Sequence, residues 1–490
     1  MNRRTAMKLL ASLPAAGARA AEGRFNASWD SLKQYRCPDW FRDAKFGIWA
    51  HWGPQCVPEQ GAWYARDMYI EGSPDYKYHV AHYGHPSKFG YKDIVPLWRA
   101  ENFDPESLME RYQKAGAKYF VALGVHHDNF DCWNSRFHKW NATKMGPKRD
   151  IVGMWREAAL SRGMRFGVSE HLARSWSWFN VNKGKDKEGP YAGVPYDGND
   201  PAYADFYFEP HEDTSRVYPA NPPEAWKKQW LARIKDLVDS YQPDLLYTDG
   251  GIPFGEVGRT LVAHFYNRSL EWHAGKLEAV YNIKNFKEGH GEYQDGCCVL
   301  DVERGVVDDI RPEPWQTDTC IGNWFYRRGV EYKSARTVIH MLADIVSKNG
   351  NLLLNFPQRA DGTLDAQAES VLDGVTRWMA VNAEAIHGTR PHRVFGEGPT
   401  QNEGGAFSER KRKEYTPEDI RYTTKGRMVY AICLGVPGAQ ATLRNAPQRV
   451  RRVHMLGAAE PLKFTMREKV LRVELPERKP SEHALVLRIA

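Results

Sequence analysis

Acidic side chains follow several short apolar runs of this 490-residue chain. Asp249 is the clearest candidate for catalysis, because Leu245-Leu246-Tyr247 leads into it through Thr248 and two glycines follow it. A carboxylate in that position is held by a rigid strand and is open to a ligand, as a nucleophile must be. The same spacing also fits an aspartate that caps the next turn or helix, so spacing alone leaves both interpretations open.

A second carboxyl group is needed if the chemistry is glycoside hydrolysis. In a retaining enzyme this group lies about 5 Å from the nucleophile and acts first as acid and then as base. Glu303 is the first choice, since it follows a candidate strand and precedes Arg304-Gly305. The alternative is a surface glutamate paired with Arg304. Glu313 and Glu170 are held in reserve for the same role.

Histidine and aromatic side chains are candidates for holding a sugar. Neutral imidazole both donates and accepts hydrogen bonds, and the candidate histidines are His51, His126, His127 and His171. Neighbours on a strand point to opposite faces, so at most one of the adjacent pair enters a regular barrel unless the strand has ended there. Flat rings either stack on sugars or pack in cores, and the candidates are Trp63, Tyr64 and Trp133.

The composition limits the class of protein. Hydrophobic residues make up 42% and charged residues 26%, which predicts a soluble globular chain. The net charge of +7 comes from lysines and arginines scattered among nearly as many acids, so no nucleic-acid partner is expected. No apolar run after the N-terminal one approaches about 20 residues, so no membrane span is expected. The 17 tryptophans and 24 tyrosines are consistent with sugar binding.

Strand and helix patterns alternate through most of the chain and must position these residues. The candidate strands lie at residues 46–50, 119–123, 165–168, 245–247, 279–281, 299–300, 315–317 and 352–354, the one at 315–317 being weaker. Near-continuous apolar strands predict a parallel sheet buried on both faces. Eight strand–helix units favour an α/β fold of the (β/α)8-like barrel type, with catalytic groups at the carboxyl ends of the strands. A doubly wound sheet is the alternative, and no helix is predicted after the fifth or sixth strand.

Three domains are predicted. Short alternating segments after about residue 390 indicate a C-terminal antiparallel β-sandwich at 389–490, after a catalytic barrel at 21–388. Residues 175–222, rich in Gly, Pro, Asp and Tyr, are expected to form a loop over the barrel mouth. Residues 1–20 read as a signal peptide, with Ala21 as the new N-terminus and a periplasmic or secreted location. Arg3-Arg4 fits either twin-arginine export or an ordinary secretory signal.

Five ordered motifs carry a family resemblance. They are Phe46-Gly47-Ile48-Trp49-Ala50-His51-Trp52-Gly53, Ala115-Gly116-Ala117-Lys118-Tyr119, His126-His127-Asp128-Asn129-Phe130, Gly146-Pro147-Lys148-Arg149-Asp150, and Lys348-Asn349-Gly350-Asn351-Leu352-Leu353-Leu354-Asn355. Together they resemble glycoside hydrolase family 29, the α-L-fucosidases. The resemblance implies a barrel with a C-terminal β-sandwich, retaining chemistry on terminal α-L-fucosyl residues, and neither metal nor other cofactor.

The resemblance also implies roles for single residues. The family's nucleophile falls on Asp249, its sugar-binding histidines on His51, His126 and His127, and its Trp-Tyr pair on Trp63-Tyr64. The resemblance supports the acid/base role of Glu303 less strongly, because the position of this residue varies within the family.

This sequence departs from the family pattern at three places. Ala62 stands where many members have a glutamate that contacts the sugar. At the end of the third strand, where many members have a tyrosine that faces the sugar, this chain has Glu170-His171. Either of these side chains is a candidate to replace the missing sugar contact. Gln316 follows Trp315 where a glutamate is often seen.

Three other functions remain open. An α-L-galactoside differs from a fucoside at the exocyclic carbon and is a possible substrate. A fucose-binding protein without catalysis is suggested by Ala62. A metal-dependent barrel hydrolase would draw on the histidines and Asp249, but the sequence has neither a His-x-His on the first strand nor a His-Glu-x-x-His helix. Except for the metal-dependent hydrolase, each of these functions implies a fucosylated or closely related glycan as the partner.

Overall fold

The computed structural model describes residues 24–286 and 288–490. The predicted signal peptide at 1–20 lies outside the described residues. Among the described residues, no helix combines the length and apolarity needed to cross a bilayer. All seven cysteines lie within the described ranges, and all are free thiols.

Eight parallel strands close into a barrel in chain order. They are β1 (Phe46–Ala50), β2 (Tyr119–Val125), β3 (Arg165–Glu170), β4 (Leu245–Thr248), β5 (Val280–Lys284), β6 (Val299–Asp301), β7 (Trp315–Cys320) and β8 (Gly350–Asn355). Pairing of β8 with β1, with Leu352 opposite Phe46, completes the ring. Every predicted strand is confirmed, and the doubly wound alternative is wrong because such a sheet would leave two open edges.

Helices surround this barrel. The α-helices are α1 (Trp29–Leu32), α2 (Asp39–Ala44), α3 (Tyr64–Asp67), α4 (Pro74–His82), α5 (Tyr91–Ile94), α6 (Pro105–Lys114), α7 (Ile151–Ser161), α8 (Ser175–Trp178), α9 (Ala204–Tyr207), α10 (Glu224–Tyr241), α11 (Glu256–Trp272), α12 (Ala335–Ser347) and α13 (Ala366–Asn382). Short 3-10 helices lie at Pro54–Cys56, Val95–Leu97, Leu172–Arg174, Asn180–Lys183, Asp197–Asn199, Pro201–Tyr203, Ala383–Ala385 and Ser408–Lys411.

Local sequence explains where the main helices begin. Asp104 accepts a hydrogen bond from Ser107 N and caps α6, and Asp150 does the same for α7 through Gly153 N. The segments that follow β5 and β6 have no helix among their described residues. The barrel is therefore irregular after β5 and β6, the two strands after which no helix was predicted.

The C-terminal part consists of two antiparallel sheets. Its strands are β9 (Arg390–Glu397), β10 (Ile420–Lys425), β11 (Met428–Cys433), β12 (Gln440–Leu443), β13 (Val453–Met455), β14 (Phe464–Arg467), β15 (Val470–Glu474) and β16 (Leu485–Ile489). One sheet has the order β13-β16-β11-β10-β9 and the other β12-β15-β14. Leu443, Leu471 and Leu487 belong to a common core separate from the barrel core. The predicted antiparallel fold is confirmed, while the boundary at residues 388 and 389 stays a prediction.

A buried ion pair joins the two parts of the chain. Arg421 on β10 donates through Nε to Asp344 on α12, and Lys348 Nζ lies 3.2 Å from the same carboxylate. All three side chains are almost completely buried. Burial would raise the pKa of Asp344, but the charges of Arg421 and Lys348 outweigh it and lower the pKa to about 2.

Candidate active site

A cavity of about 670 Å³ lies at the carboxyl ends of the barrel strands. The predicted site residues that line it are Asp249, Glu303, His51, Trp63, His126, His127 and His171. Other lining residues were not predicted, and they include Arg174, Arg216, Lys284, Trp324 and Phe407. Strand ends from opposite sides of the barrel thus converge on one space.

Asp249 directly follows β4 and has both carboxylate oxygens in contact with cations or imidazoles. Its Oδ1 accepts a hydrogen bond from Lys284 Nζ at 2.8 Å. Its Oδ2 lies 3.4 Å from His127 Nε2, 3.4 Å from His171 Nδ1 and 3.6 Å from Arg174 Nη1. Burial would raise the pKa of Asp249, but Arg174 and Lys284 outweigh it, and the pKa lies well below its ordinary value. Asp249 is therefore a carboxylate at any physiological pH.

The backbone around Asp249 leaves no room for a side chain on the next residue. Gly250 has φ of +132°, and a Cβ there would lie 2.5 Å from the hydroxyl oxygen of Tyr218. That hydroxyl contacts the carbonyl oxygens of Asp249 and Gly251, at 3.2 and 2.9 Å. The glycine that follows the nucleophile candidate is thus required by this close approach.

Glu170, a reserve for the acid/base role, lies beneath the cavity instead of lining it. Its carboxylate accepts hydrogen bonds from Thr248 Oγ1 at 2.8 Å and from Leu172 N at 2.9 Å. Its carbonyl accepts the Asp249 N–H at 3.2 Å. Glu170 therefore braces the strand end that carries Asp249. The other reserve, Glu313, lines a different cavity beside Tyr35.

Glu303 lies two residues beyond β6, and its carboxylate faces the cavity. Lys284 Nζ lies 2.5 Å from Glu303 Oε2 and also contacts Asp249. Because Lys284 Nζ contacts both groups, the nearest oxygens of Asp249 and Glu303 can be no farther apart than the sum of those two contacts. Arg304, the alternative partner in the sequence, pairs with Glu409 instead, at 3.2 Å.

The environment of Glu303 differs from that of Asp249. Burial raises the pKa of Glu303, and the neighbouring carboxylates of Asp318 and Asp249 add to the effect against the charge of Lys284. Its carbonyl accepts the Phe407 N–H at 2.7 Å, so the C-terminal part of the chain helps to hold it. The site thus pairs a carboxylate of lowered pKa with a carboxyl group of raised pKa, a pattern typical of a nucleophile beside an acid.

Lys284 is the unpredicted lining residue with the closest contacts to both candidate catalytic carboxylates. It is the last residue of β5, and its side chain is only 2% exposed. Burial would lower its pKa, but Asp249, Asp318 and Glu303 raise it well above the ordinary value, so it is an ammonium ion. Asp249 was identified because it is a polar residue at the end of a strand, and the same criterion also applies to Lys284. Arg174, on the 3-10 helix after β3, had no such signal.

Both adjacent histidines enter the cavity, because β2 ends at Val125 before either of them. The side-chain amide of Gln55 donates to His126 Nδ1 at 2.9 Å, so Nε2 of the neutral ring carries the proton. His127 Nδ1 donates to the carbonyl of His171 at 2.7 Å, so its Nε2 is an acceptor. Burial lowers the pKa of His126 well below its ordinary value and that of His127 to about 4. The pair offers one donor and one acceptor to a hydroxyl group.

Two predicted sugar contacts are not in this cavity. Tyr64 is completely buried, and its hydroxyl bonds to His79 Nδ1 at 2.6 Å. Trp133 is also buried, and its indole N–H donates to Asp236 at 3.2 Å. Both rings therefore pack in the protein interior with their polar atoms satisfied, which corrects their assignment to sugar binding.

A metal site is conceivable at the histidines. Nitrogen atoms of His126, His127 and His171 lie within 4.8 Å of one another. However, Arg174 and Lys284 already lie beside the carboxylate that would complete such a site. A divalent ion there would be repelled by these two buried cations, so the electrostatics disfavour a metal at this position.

Comparison with known proteins agrees with this geometry. The family model described as Alpha-L-fucosidase matches residues 12–384. This chain belongs to the alpha-L-fucosidase family. The family's C-terminal domain model matches residues 412–490.

Individual members of the family align along most of their length. Plasma alpha-L-fucosidase of Pongo abelii is 30% identical over 472 residues, which are 93% of this chain and 89% of that protein. Tissue alpha-L-fucosidase of Homo sapiens is 29% identical over 474 residues, 94% of this chain and 89% of that protein. The crystal structure of the Thermotoga maritima alpha-fucosidase in complex with fucose superposes with a TM-score of 0.72 at 27% identity, over 95% of this chain and 100% of that one.

The three departures from the family pattern have different structural consequences. Ala62 lines the cavity and donates its N–H to Asn323 Oδ1 at 3.0 Å, so no carboxylate projects there. His171 lines the cavity next to Asp249, in the place expected for a sugar contact. Gln316 is buried inside the barrel and donates to Asp301 at 2.7 Å. The first two therefore change the wall of the cavity, and the third does not.

Proposed function

We propose that this chain is a retaining exo-α-L-fucosidase that removes terminal fucosyl residues from glycans through a covalent intermediate on Asp249. The observation that carries the proposal is the contact of one buried ammonium, Lys284 Nζ, with the carboxylates of both Asp249 and Glu303. Because one atom makes both contacts, the nearest oxygens of the two carboxyl groups lie close together, which supports the short separation that a retaining pair needs. The pKa of Asp249 is lowered and that of Glu303 is raised, as the roles of nucleophile and acid require.

The reaction proceeds in two steps. In the first, Asp249 attacks the anomeric carbon while Glu303 gives its proton to the departing glycosidic oxygen, which leaves a fucosyl–Asp249 ester and an ionised Glu303. In the second, Glu303 removes a proton from water as its oxygen attacks the anomeric carbon, which releases Asp249 and fucose of the original configuration. Glu303 is protonated again at the end of the cycle.

The burial of the two carboxyl groups supports an exo mode of action. Asp249 and Glu303 have side chains only 11% and 13% exposed at the end of a closed barrel. The end of a glycan chain can reach that depth, whereas an internal unit would need the chain to pass through the wall. Fucose would be held by hydrogen bonds from the cavity histidines and by contact with Trp63 and Trp324.

Release of nitrophenol from 4-nitrophenyl α-L-fucoside tests the proposal. Wild type and the Asp373→Ala control, which removes an exposed aspartate on α13, should both turn over the substrate. The Asp249→Ala variant should retain its fold by circular dichroism and lose about three or more orders of magnitude in kcat. Turnover of the α-L-galactoside in preference to the fucoside would reassign the sugar, and binding of fucose by wild type without any turnover would favour a binding protein.

We also propose that the chain acts outside the cytoplasm, on fucosylated glycans. The support is the sequence pattern of residues 1–20 alone. N-terminal sequencing of the protein from its natural host should find Ala21 as the first residue. A mature protein that starts at Met1 would contradict export by a cleaved signal.

A further inference from the structure

The cavity carries more positive than negative charge. Its cationic side chains are Arg174, Arg216, Lys284, Arg304 and Arg410, and its carboxylates are Asp249, Glu303 and Asp318. Lys284 and Arg174 are paired with Asp249, and Arg304 is paired with Glu409. Among the described residues, Arg216 has no carboxylate oxygen within the 4.0 Å that defines an ion pair. Its side chain is exposed, and although its charge influences Asp67, no ion pair within the described ranges occupies its guanidinium.

Arg216 lies over the ring of Trp63, with 4.4 Å between the guanidinium carbon and the ring centroid. A guanidinium stacked on an indole is held by cation–π attraction while the N–H groups at its edge remain free. Those N–H groups form a planar fork that matches the oxygens of a sulfate or carboxylate. Such a stacked arginine is suited to bind an oxyanion.

The main chain on both sides of Arg216 is anchored. Asp213 accepts hydrogen bonds from Ser215 N at 2.9 Å and from Ala220 N at 3.1 Å. Tyr218 donates its N–H to the carbonyl of Gly289 at 2.9 Å, and its hydroxyl contacts the carbonyl of Asp249. Arg216 therefore projects from a short segment tied to the nucleophile strand end.

Trp63 is fixed as well. It has φ of +73°, a conformation that costs energy for a large residue and persists only where the surroundings impose it. The preceding Gly61 N–H donates to Tyr326 O at 3.1 Å, and the Ala62 N–H donates to Asn323 Oδ1 at 3.0 Å. The Trp63 ring then meets the ring of His127 edge-on, at 6.3 Å between centroids.

Arg216 is an exposed side chain of the cavity wall and is linked to the nucleophile through two rings. It stacks on Trp63, Trp63 contacts His127, and His127 Nε2 lies 3.4 Å from Asp249 Oδ2. Since Trp63 and His127 are proposed above to hold the fucosyl ring, Arg216 adjoins that ring's subsite, and an anionic substituent on the ring is the ligand that fits it. Ala62 beside it adds neither charge nor bulk to this wall.

We infer that Arg216, stacked on Trp63, forms a subsite for a sulfate ester on the fucosyl ring, so that the natural substrate is an O-sulfated fucoside. The inference rests on the proposed function and deepens it. Fucose has hydroxyl groups that a sulfate can esterify, and its exocyclic carbon is a methyl group, so a sulfate is the simplest oxyanion that this ring can carry.

The test compares 4-nitrophenyl α-L-fucoside with its 2-, 3- and 4-O-sulfates. At one ionic strength, wild type should hydrolyse at least one monosulfate with a kcat/KM about tenfold higher than that of the neutral fucoside, since charge-assisted hydrogen bonds exceed neutral ones by about that much. Arg216→Gln should lose this preference, and Arg216→Lys should keep part of it. Arg451→Gln, which removes an exposed arginine of the C-terminal part, should keep all of it.

Two results would overturn the sulfate subsite. In one, wild type hydrolyses all three monosulfates more slowly than the neutral fucoside. In the other, Arg216→Gln keeps the wild-type preference. If no fucoside is hydrolysed at all, the proposed function fails, but calorimetric binding of the methyl fucoside monosulfates to wild type and Arg216→Gln still decides the subsite. Equal binding of sulfated and neutral glycosides to wild type would then reject it.

Discussion

Lys284 Nζ donates to Asp249 Oδ1 at 2.8 Å from a position that is almost completely shielded from solvent. The same ammonium contacts Glu303, so one cation touches both members of the proposed catalytic pair. It favours the ionised form of each carboxyl group. Burial raises the pKa of both groups, but Arg174 and two imidazoles also lie beside Asp249, whereas Glu303 faces the carboxylates of Asp318 and Asp249, so only Asp249 has a lowered pKa.

Replacing Lys284 by methionine should therefore disturb both groups. The pKa values of Asp249 and Glu303 should rise, and both limbs of the pH profile of kcat/KM should move to higher pH. We expect kcat/KM at its optimum to fall about 100-fold, as for the loss of one buried electrostatic contact. The control is Lys228→Met on the exposed face of α10. A Lys284→Met enzyme with wild-type pH limbs would contradict this coupling.

Replacing Glu303 by glutamine should remove proton transfer but leave the nucleophile intact. The pKa of Glu303 is raised, so the protonated acid is lost as pH rises through that pKa and activity falls on the alkaline side. This alkaline limb should be absent in the variant. Loss of activity should be about 10²–10⁴-fold on a natural fucoside and much smaller on the 4-nitrophenyl fucoside, whose leaving group needs no proton. Equal loss on both substrates would argue against the acid role.

The ion pair between the two parts of the chain should contribute to stability in a pH-dependent way. The pKa of Asp344 falls from 3.8 to about 2 in the folded protein, which corresponds to about 2 kcal/mol of stability at neutral pH. Because the folded pKa is depressed, this stability is complete above pH 4 and is lost as pH falls toward 2. Asp344→Asn should lower the free energy of unfolding by about 3 kcal/mol at pH 7, since Arg421 is left buried without its partner.

Urea unfolding at pH 7 and at pH 3 measures this effect, with Asp373→Asn as the control for loss of an exposed aspartate. The difference between wild type and Asp344→Asn should shrink at the lower pH. A difference that is the same at both values would mean that packing, and not the charge of Asp344, links the two parts.

The histidine cluster allows a direct test for metal dependence. With Arg174 and Lys284 beside Asp249, we expect catalysis to need no divalent ion. Prolonged dialysis against a strong chelator should leave kcat/KM for the 4-nitrophenyl fucoside unchanged. Activity that disappears on dialysis and returns with added Zn²⁺ would instead support a metal-dependent hydrolase.

The barrel could be predicted from the sequence because its strands are short apolar runs buried on both faces, and its helices begin at recognisable caps such as Asp104 and Asp150. Two strands of the C-terminal part, β9 and β12, were not predicted because they lack that signal. β9 has no fully buried residue and carries three charged side chains, and β12 is only four residues long. β9 shows no alternation of apolar and polar residues, and the alternation of Gln-Ala-Thr-Leu in β12 is too short to identify a strand.

The residue pattern predicted the candidate site where it follows strands, whereas the assignment of Trp63 to sugar binding rested on the family resemblance. Asp249, His51 and Glu303 were predicted from their positions after strands. Tyr64 and Trp133 were predicted as sugar contacts but pack in the interior, because spacing along the sequence does not reveal which way a ring points. Arg216 comes from the long loop at residues 175–222, and its contact with Trp63 joins segments more than 150 residues apart. Such long-range contacts leave no local signal in the sequence.

The measurement that tests the central claim most directly is mechanism-based labelling of the nucleophile. A 2-deoxy-2-fluoro-fucosyl fluoride should react with wild type and stall as a covalent ester, because the fluorine slows both steps while the fluoride leaves without protonation. Peptide mass spectrometry should then find one deoxyfluorofucosyl group, on Asp249, and none in the Asp249→Ala variant. Inactivation that labels Glu303 or another residue, or turnover of the reagent by Asp249→Ala, would contradict the assignment of Asp249 as the nucleophile.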